Sequence, residues 1–255
     1  MLYITFGKYR KLYKSRGNSK GMRKDVLLLV LLVVVSGLSI IAYSSTVSSQ
    51  SCVSPPANIV SWWQAEGNAE DTVDGNDGLV NGATFVPGLV GQAFKFDGVN
   101  DFVFVPHSSS LDMTNAVTIE GWIKSSKCTH FFGWCTIFLK APRGFVAEWQ
   151  YGLIINSGGQ ISFGNGNNVG YYLNYQGPNL FNNNWHHVAV TYDSFSHNIV
   201  YYVDGVQIFS GQNFIPLTSN SNEVEIGRES GETGLAPFDG SIDEIAVYNR
   251  VLSPA

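Results

Sequence analysis

Apolar and polar residues alternate along three stretches near the C-terminus: Trp185–Asp193 (WHHVAVTYD), Val200–Gly205 (VYYVDG) and Phe238–Tyr248 (FDGSIDEIAVY). A period of two is that of a strand with one buried face. The Asp204-Gly205 pair supplies the positive-φ residues of a tight hairpin, and Asn156-Ser-Gly-Gly159 marks a second one. Reading the rest of the chain in this way predicts strands at 59–65, 79–85, 92–97, 102–106, 117–124, 136–140, 148–156, 160–164, 185–193, 198–204, 206–210, 222–227 and 241–248. Gly164 to Asn184, rich in Asn, Gly and Tyr, reads as a loop. No long helical period occurs after the first 43 residues, so the fold class is all-β.

The N-terminal part follows a different pattern. Val26 to Ala42 is an apolar run of 17 residues without a charge, led by a basic segment and followed by the Ser-rich stretch Ser44 to Ser51. The order basic, apolar, small-polar is an export signal. Residues 1–25 form the basic lead and 26–43 a signal core or a single membrane-anchoring helix. Residues 44–57 form a Ser/Pro-rich tether, and 58–255 the β-domain. Cleavage after a start at Met22 and an uncleaved anchor both remain open. The β-domain is expected outside the cytoplasm, touching a membrane only through that segment.

The alternating stretches, together with Trp62-Trp-Gln-Ala-Glu-Gly-Asn68, Phe96-Asp-Gly-Val-Asn-Asp-Phe102 and Val117-Thr-Ile-Glu-Gly-Trp-Ile-Lys124, resemble the LamG-like jellyroll domains of the concanavalin A-like lectin/glucanase superfamily. The resemblance spans residues 58–253. It implies a two-sheet antiparallel jellyroll sandwich and, as such domains usually run on past the equivalent of Leu252-Ser253, a chain continuing beyond Ala255.

Charge narrows the partners. From Ser51 onward there are seven basic and nineteen acidic residues, a formal charge of −12. Nucleic acid is excluded as a partner on that balance. Cys128 and Cys135 bracket a six-residue loop and are expected to pair in an exported protein, leaving Cys52 over.

Candidate chemistry follows. The resemblance implies a structural calcium held by Glu66, Asn68, Asp97, Asp101 and Asp243, residues that offer the hard oxygens this ion takes. Asp71 to Gly78 lacks the ligand register of an EF-hand loop and reads as a polar turn. Glycosidases of this fold carry carboxylates at alternate positions of one strand. The nearest match, Glu223-Val-Glu225-Ile-Gly-Arg-Glu229, breaks that spacing and reads as a solvated strand face. Catalysis is therefore not expected. His186 and His187 are adjacent on a strand and point to opposite faces.

Sugars stack on aromatic rings flanked by amides. Trp122 and Trp185 are expected in the core. That leaves Trp134, Trp149, Tyr171, Tyr172, Asn174 and Tyr175 as the ligand patch. The expectation is an exported, non-catalytic recognition or adhesion module for a polysaccharide or glycan. A laminin G-like domain binding a surface protein is the alternative, and a glycoside hydrolase the third reading.

Overall fold

A computed structural model describes residues 57–128, 130–131, 133–142, 149–167, 170–229 and 236–253. The basic lead, the apolar run with its expected signal or anchor helix, nearly all of the tether, and Cys52 lie outside the described residues. Among the described residues no helix is long and apolar enough to cross a membrane.

Fifteen strands follow in order: β1 Ile59–Trp63, β2 Leu79–Asn81, β3 Thr84–Pro87, β4 Gln92–Asp97, β5 Phe102–Val105, β6 Ala116–Ser125, β7 Trp134–Lys140, β8 Tyr151–Asn156, β9 Ile161–Asn167, β10 Gly170–Leu173, β11 His186–Asp193, β12 Asn198–Val203, β13 Val206–Gln212, β14 Val224–Ile226 and β15 Asp239–Tyr248. Among the described residues one short 3-10 helix, Ser109–Leu111, interrupts them. The strands build two sheets. One is eight-stranded, in the order β13-β12-β11-β6-β15-β4-β3, with β1 also paired to β15. The other is seven-stranded, in the order β10-β9-β8-β7-β14-β5-β2. The strand pairs are antiparallel, as in a jellyroll sandwich.

The period-two pattern explains the core. On β6, Val117, Ile119 and Ile123 are fully buried and join the inter-sheet cluster, whereas Thr118, Glu120 and Trp122 fall on the outer side. Trp63, Phe94, Phe96, Phe138, Tyr151, Phe163, Tyr192 and Tyr201 fill the space between the sheets. Burying each side chain of this size contributes about 1.5–3 kcal/mol. Three of their polar atoms reach backbone carbonyls: Tyr151 Oη donates to Leu111 O at 2.7 Å, Trp63 Nε1 to Asn76 O at 2.8 Å, and Tyr192 Oη to Asn213 O at 2.9 Å. Cys128 and Cys135 form the expected disulfide, with both residues buried.

Three local departures matter. The single strand expected at 79–85 is two strands in different sheets. Gly82, at φ 76°, takes a conformation a side chain would strain, and the chain crosses there from one sheet to the other. Residues 170–173, expected as loop, form β10 against β9. On β7 the register shifts between Thr136 and Phe138, a bulge that turns Ile137 and Phe138 both inward and returns Leu139 to the outer face.

Candidate functional site

Outside the inter-sheet core, the outer face of the seven-stranded sheet carries its own cluster. Leu139, Ala141, Trp149 and Ile154 are buried there, and Trp134 and Tyr175 pack against them half-buried. The register across this face runs Gly164–Gly152–Leu139–Glu225–Phe104–Leu79. Gly152 and Gly164 are neighbours on β8 and β9, and both are buried: the Leu139 side chain packs into the space that a Cβ on Gly152 would take.

Two carboxylates border this cluster. Glu229 is 1% exposed and accepts a hydrogen bond from Trp149 Nε1 at 3.3 Å. Burial pushes its carboxyl up to about 7, the indoles of Trp134 and Trp149 pull it back, and the nearby Glu225 adds to the rise. Glu225, 2% exposed, receives Arg228 in a fork of two contacts, each 3.0 Å. The Arg228 guanidinium lies 3.4 Å from the centre of the Phe102 ring. The expectation that this segment is a solvated strand face is therefore corrected. β14 is a central strand of its sheet, and the aromatic cluster covers what its outer carboxylate and Glu229 would otherwise expose.

The ligand patch expected from sequence is brought together in part. Trp134, Trp149 and Tyr175 converge, and the Trp134 and Trp149 rings meet edge-on at 6.3 Å. Trp149 is 1% exposed, so it is a support for Trp134 and Glu229 rather than a free stacking surface. Asn174 belongs to the chain leaving β10: its N–H donates to Ser162 Oγ, and its Oδ1 accepts from Gln176 Nε2. Tyr171 and Tyr172 pair in register with Gly166 and Asn165, and their side chains lie outside the described residues. Glu229 was missed as a member of this site, since its partners stand eighty positions away in sequence.

The five expected calcium ligands separate into two places. Glu66 accepts from Gln92 N–H at 3.2 Å, and Asp243 Oδ2 accepts from Leu89 and Val90 N–H at 2.8 and 3.1 Å, so both carboxylates face the β3–β4 turn. Asp97 and Asp101 sit at the other end of β4, where Asp101 Oδ2 accepts from Asp97 N–H. Asn68 caps its own turn through Glu70 N–H. The six residues of β4 keep these groups apart, and among the described residues no group of three or more ligating side chains could hold a metal. The Glu66–Asp243 pair keeps one mark of a cation site. Asp243 is fully buried, and its Oδ1 has no hydrogen-bond partner. Burial, and then Glu66, push Asp243 up to about 7. Its neighbour Glu244, at φ 56° in the bulge of β15, is raised to about 8 by burial and by Asp243.

The outer face of the eight-stranded sheet holds the two tryptophans expected in the core. Trp122 is half-buried opposite His187, ring centres 5.2 Å apart, because its register puts it on the outer side of β6. Trp185 is also half-buried, and it lines a pocket beside β15. His187 is buried with Nε2 3.4 Å from Glu120, while His186 reaches Asp204 and Asn182 at the surface. The Asp71–Gly78 segment is a turn, organised by the Asp71 carboxylate accepting from Val73, Asp74 and Asn76 N–H.

Residues 97–255 match the model of the concanavalin A-like lectin/glucanases superfamily (Laminin_G_3). No curated protein matches the chain. Among solved structures, domain 4 of a GH43 extracellular arabinanase from Geobacillus stearothermophilus, in complex with arabinotriose, is 20% identical with a TM-score of 0.62, covering 77% of this chain and 95% of that one. A Trypanosoma rangeli sialidase in a covalent intermediate with 2,3-difluorosialic acid is 19% identical with a TM-score of 0.59, covering 78% of this chain and 32% of that one. The binding domain of botulinum neurotoxin DC, in complex with rat synaptotagmin II, is 15% identical with a TM-score of 0.59, covering 77% and 49%. The chain thus spans about a third of the sialidase and half of the toxin domain. These likenesses are of fold. They also correct the expectation of a chain without catalysis: the fold occurs in a domain of an arabinanase and within a sialidase, and two of the three carboxylates set aside as solvated, Glu225 and Glu229, are buried.

Proposed function

The chain belongs to the concanavalin A-like lectin/glucanases superfamily, and from that membership we propose that its sandwich recognises carbohydrate on the outer face of the seven-stranded sheet. The observation that carries this reading is the convergence of half-buried Trp134 and Tyr175 over buried Trp149, beside Glu229. Trp134 and Tyr175 offer rings to the C–H face of a sugar, and half-buried Arg228 offers a donor for hydroxyls, while buried Glu229 and Glu225 brace the indoles and the guanidinium from beneath. Fold neighbours solved with arabinotriose, or described as dependent on two ganglioside molecules for cell entry, make oligosaccharides the first probes.

A second reading has its own support. A buried carboxyl raised to about 7 is poised to hold or release a proton near neutral pH, the property of a general acid in glycoside hydrolysis. Binding of arabinotriose and ganglioside oligosaccharide, followed by assay for released reducing sugar, separates the two. Binding without release supports recognition, and release that is lost in Glu229→Gln supports hydrolysis. Binding of a protein partner alone would sink both.

Calcium enters as part of the proposal. Glu66 and Asp243 are the residues that would hold it, and the remaining oxygens of a six- to eight-fold shell would come from backbone and water. The bound ion would supply positive charge beside two carboxylates that repel each other. An exported setting is supported by the Cys128–Cys135 disulfide, which persists in oxidising compartments.

A further inference from the structure

On the outer face of the eight-stranded sheet, a cross-strand row places Thr84, Lys95, Ser241 and Lys124 side by side on β3, β4, β15 and β6. Strands lie ~4.8 Å apart, so Lys95 and Lys124 flank Ser241 at about twice that spacing. Trp185, the residue just before β11, lines the same pocket, whose volume is about 310 Å³. Asn183 and Ser126 also line its wall, while the Ser125 hydroxyl is taken by Asp239 O at 2.6 Å.

The charge here runs against the rest of the domain. Only seven basic residues follow Ser51, against nineteen acidic ones, yet Lys95, Lys124 and Lys127 gather at this place. Asp239 offsets part of that charge: its carboxylate lies 3.7 Å from Lys95 Nζ and 3.1 Å from Lys127 Nζ. Among the described residues Lys124 has no ion-pair partner. Asp97, opposite Asp239 in register, is turned to its own loop, where it accepts from Val99 and Asn100 N–H. The pocket therefore combines a half-buried indole, small hydroxyl and amide groups, and excess positive charge.

We infer that this pocket binds an acidic sugar residue, its ring against Trp185 and its carboxylate toward Lys124 and Lys95. A carboxylate gains a charge-assisted hydrogen bond from an ammonium that a neutral sugar does not. The inference rests on the carbohydrate reading for the class of ligand, but not for its place, since the pocket lies on the other sheet.

Saturation-transfer NMR of the full chain with glucuronic, galacturonic and N-acetylneuraminic acid, against glucose and galactose, tests it. The acidic sugars should bind, weaken at least about tenfold in Lys124→Gln, weaken further at high salt, and keep their affinity in Trp134→Ala. Trp185→Ala should remove binding of acidic sugars, while Lys124→Gln keeps the test readable if that variant does not fold. Acidic sugars that bind wild type and Lys124→Gln equally overturn the pocket. Neutral oligosaccharides that bind while acidic sugars do not overturn it and leave the carbohydrate reading standing. No binding of either class overturns both.

Discussion

Trp149 Nε1 donates a hydrogen bond to Glu229 Oε1 at 3.3 Å, joining the start of the β8 segment to the chain just after β14. The carboxyl of Glu229 is held at about 7, above its ordinary value of 4.5, because burial disfavours its charged form. The folded protein therefore keeps a proton that the unfolded chain gives up. Stability from this group is fully present below about pH 4.5 and is lost as pH rises through about 7. The slope is at most about 1.4 kcal/mol per pH unit for one proton. Urea unfolding at pH 5 and pH 8 should show wild type losing stability across this window, and Glu229→Gln losing less. Equal losses in the two proteins would place the titrating group elsewhere.

Lys140 is fully buried at the end of β7. Its Nζ lies 3.3 Å from Asp112 Oδ1 and donates to the carbonyls of Asn220 and Asn222. This amine ties β7 to the loop before β14 and to the segment around the 3-10 helix. Removing one member of such a pair leaves an uncompensated charge, at a cost of about 3–5 kcal/mol. Asp112→Ala should lower unfolding free energy by that order in denaturant titration. A loss under about 1 kcal/mol would mean that water already serves Lys140.

The Cys128–Cys135 disulfide closes a loop seven positions long. Restricting the unfolded chain over so short a loop contributes roughly 2–3 kcal/mol. The double variant Cys128→Ser, Cys135→Ser should show a loss of that size, with the sandwich still formed. No change in unfolding free energy would mean that strain in the folded loop cancels the entropy.

Calcium should raise the melting temperature of wild type. An ion at a hundredfold over its Kd adds about 2.7 kcal/mol when it binds only the folded state. Asp243→Ala should abolish that rise. If the variant is equally destabilised in chelator and in calcium, Asp243 serves only the Leu89 and Val90 N–H groups, and no ion is involved.

The strands were legible where one face is polar. β11, β12 and β15 carry an alternation that reads directly as inside and outside. The crossing between β2 and β3 was signalled by Asn81-Gly82, a turn pair inside Leu79–Phe85, but apolar residues on both sides of it read as one strand. β10 was unreadable for the opposite reason: its Gly-Tyr-Tyr-Leu segment has no polar alternation and pairs only because β9 lies beside it. The clustering of Trp134, Trp149 and Tyr175 was foreseen, but the burial of Trp149 and Glu229 depends on β7, β8 and β14 meeting in one sheet. Spacing along β14 gave no sign of it. Trp122 and Trp185 follow the same rule: their strands were legible, and the face each presents was not.

The most direct test of carbohydrate recognition on the seven-stranded sheet is calorimetric titration of arabinotriose and a ganglioside oligosaccharide into the full chain and its Trp134→Ala variant. The proposal predicts saturable binding to wild type and at least about tenfold weaker binding to the variant, about 1.4 kcal/mol, measured at a temperature where both proteins are folded. Equal binding by both proteins, or none by a folded wild type, would contradict the assignment of that face.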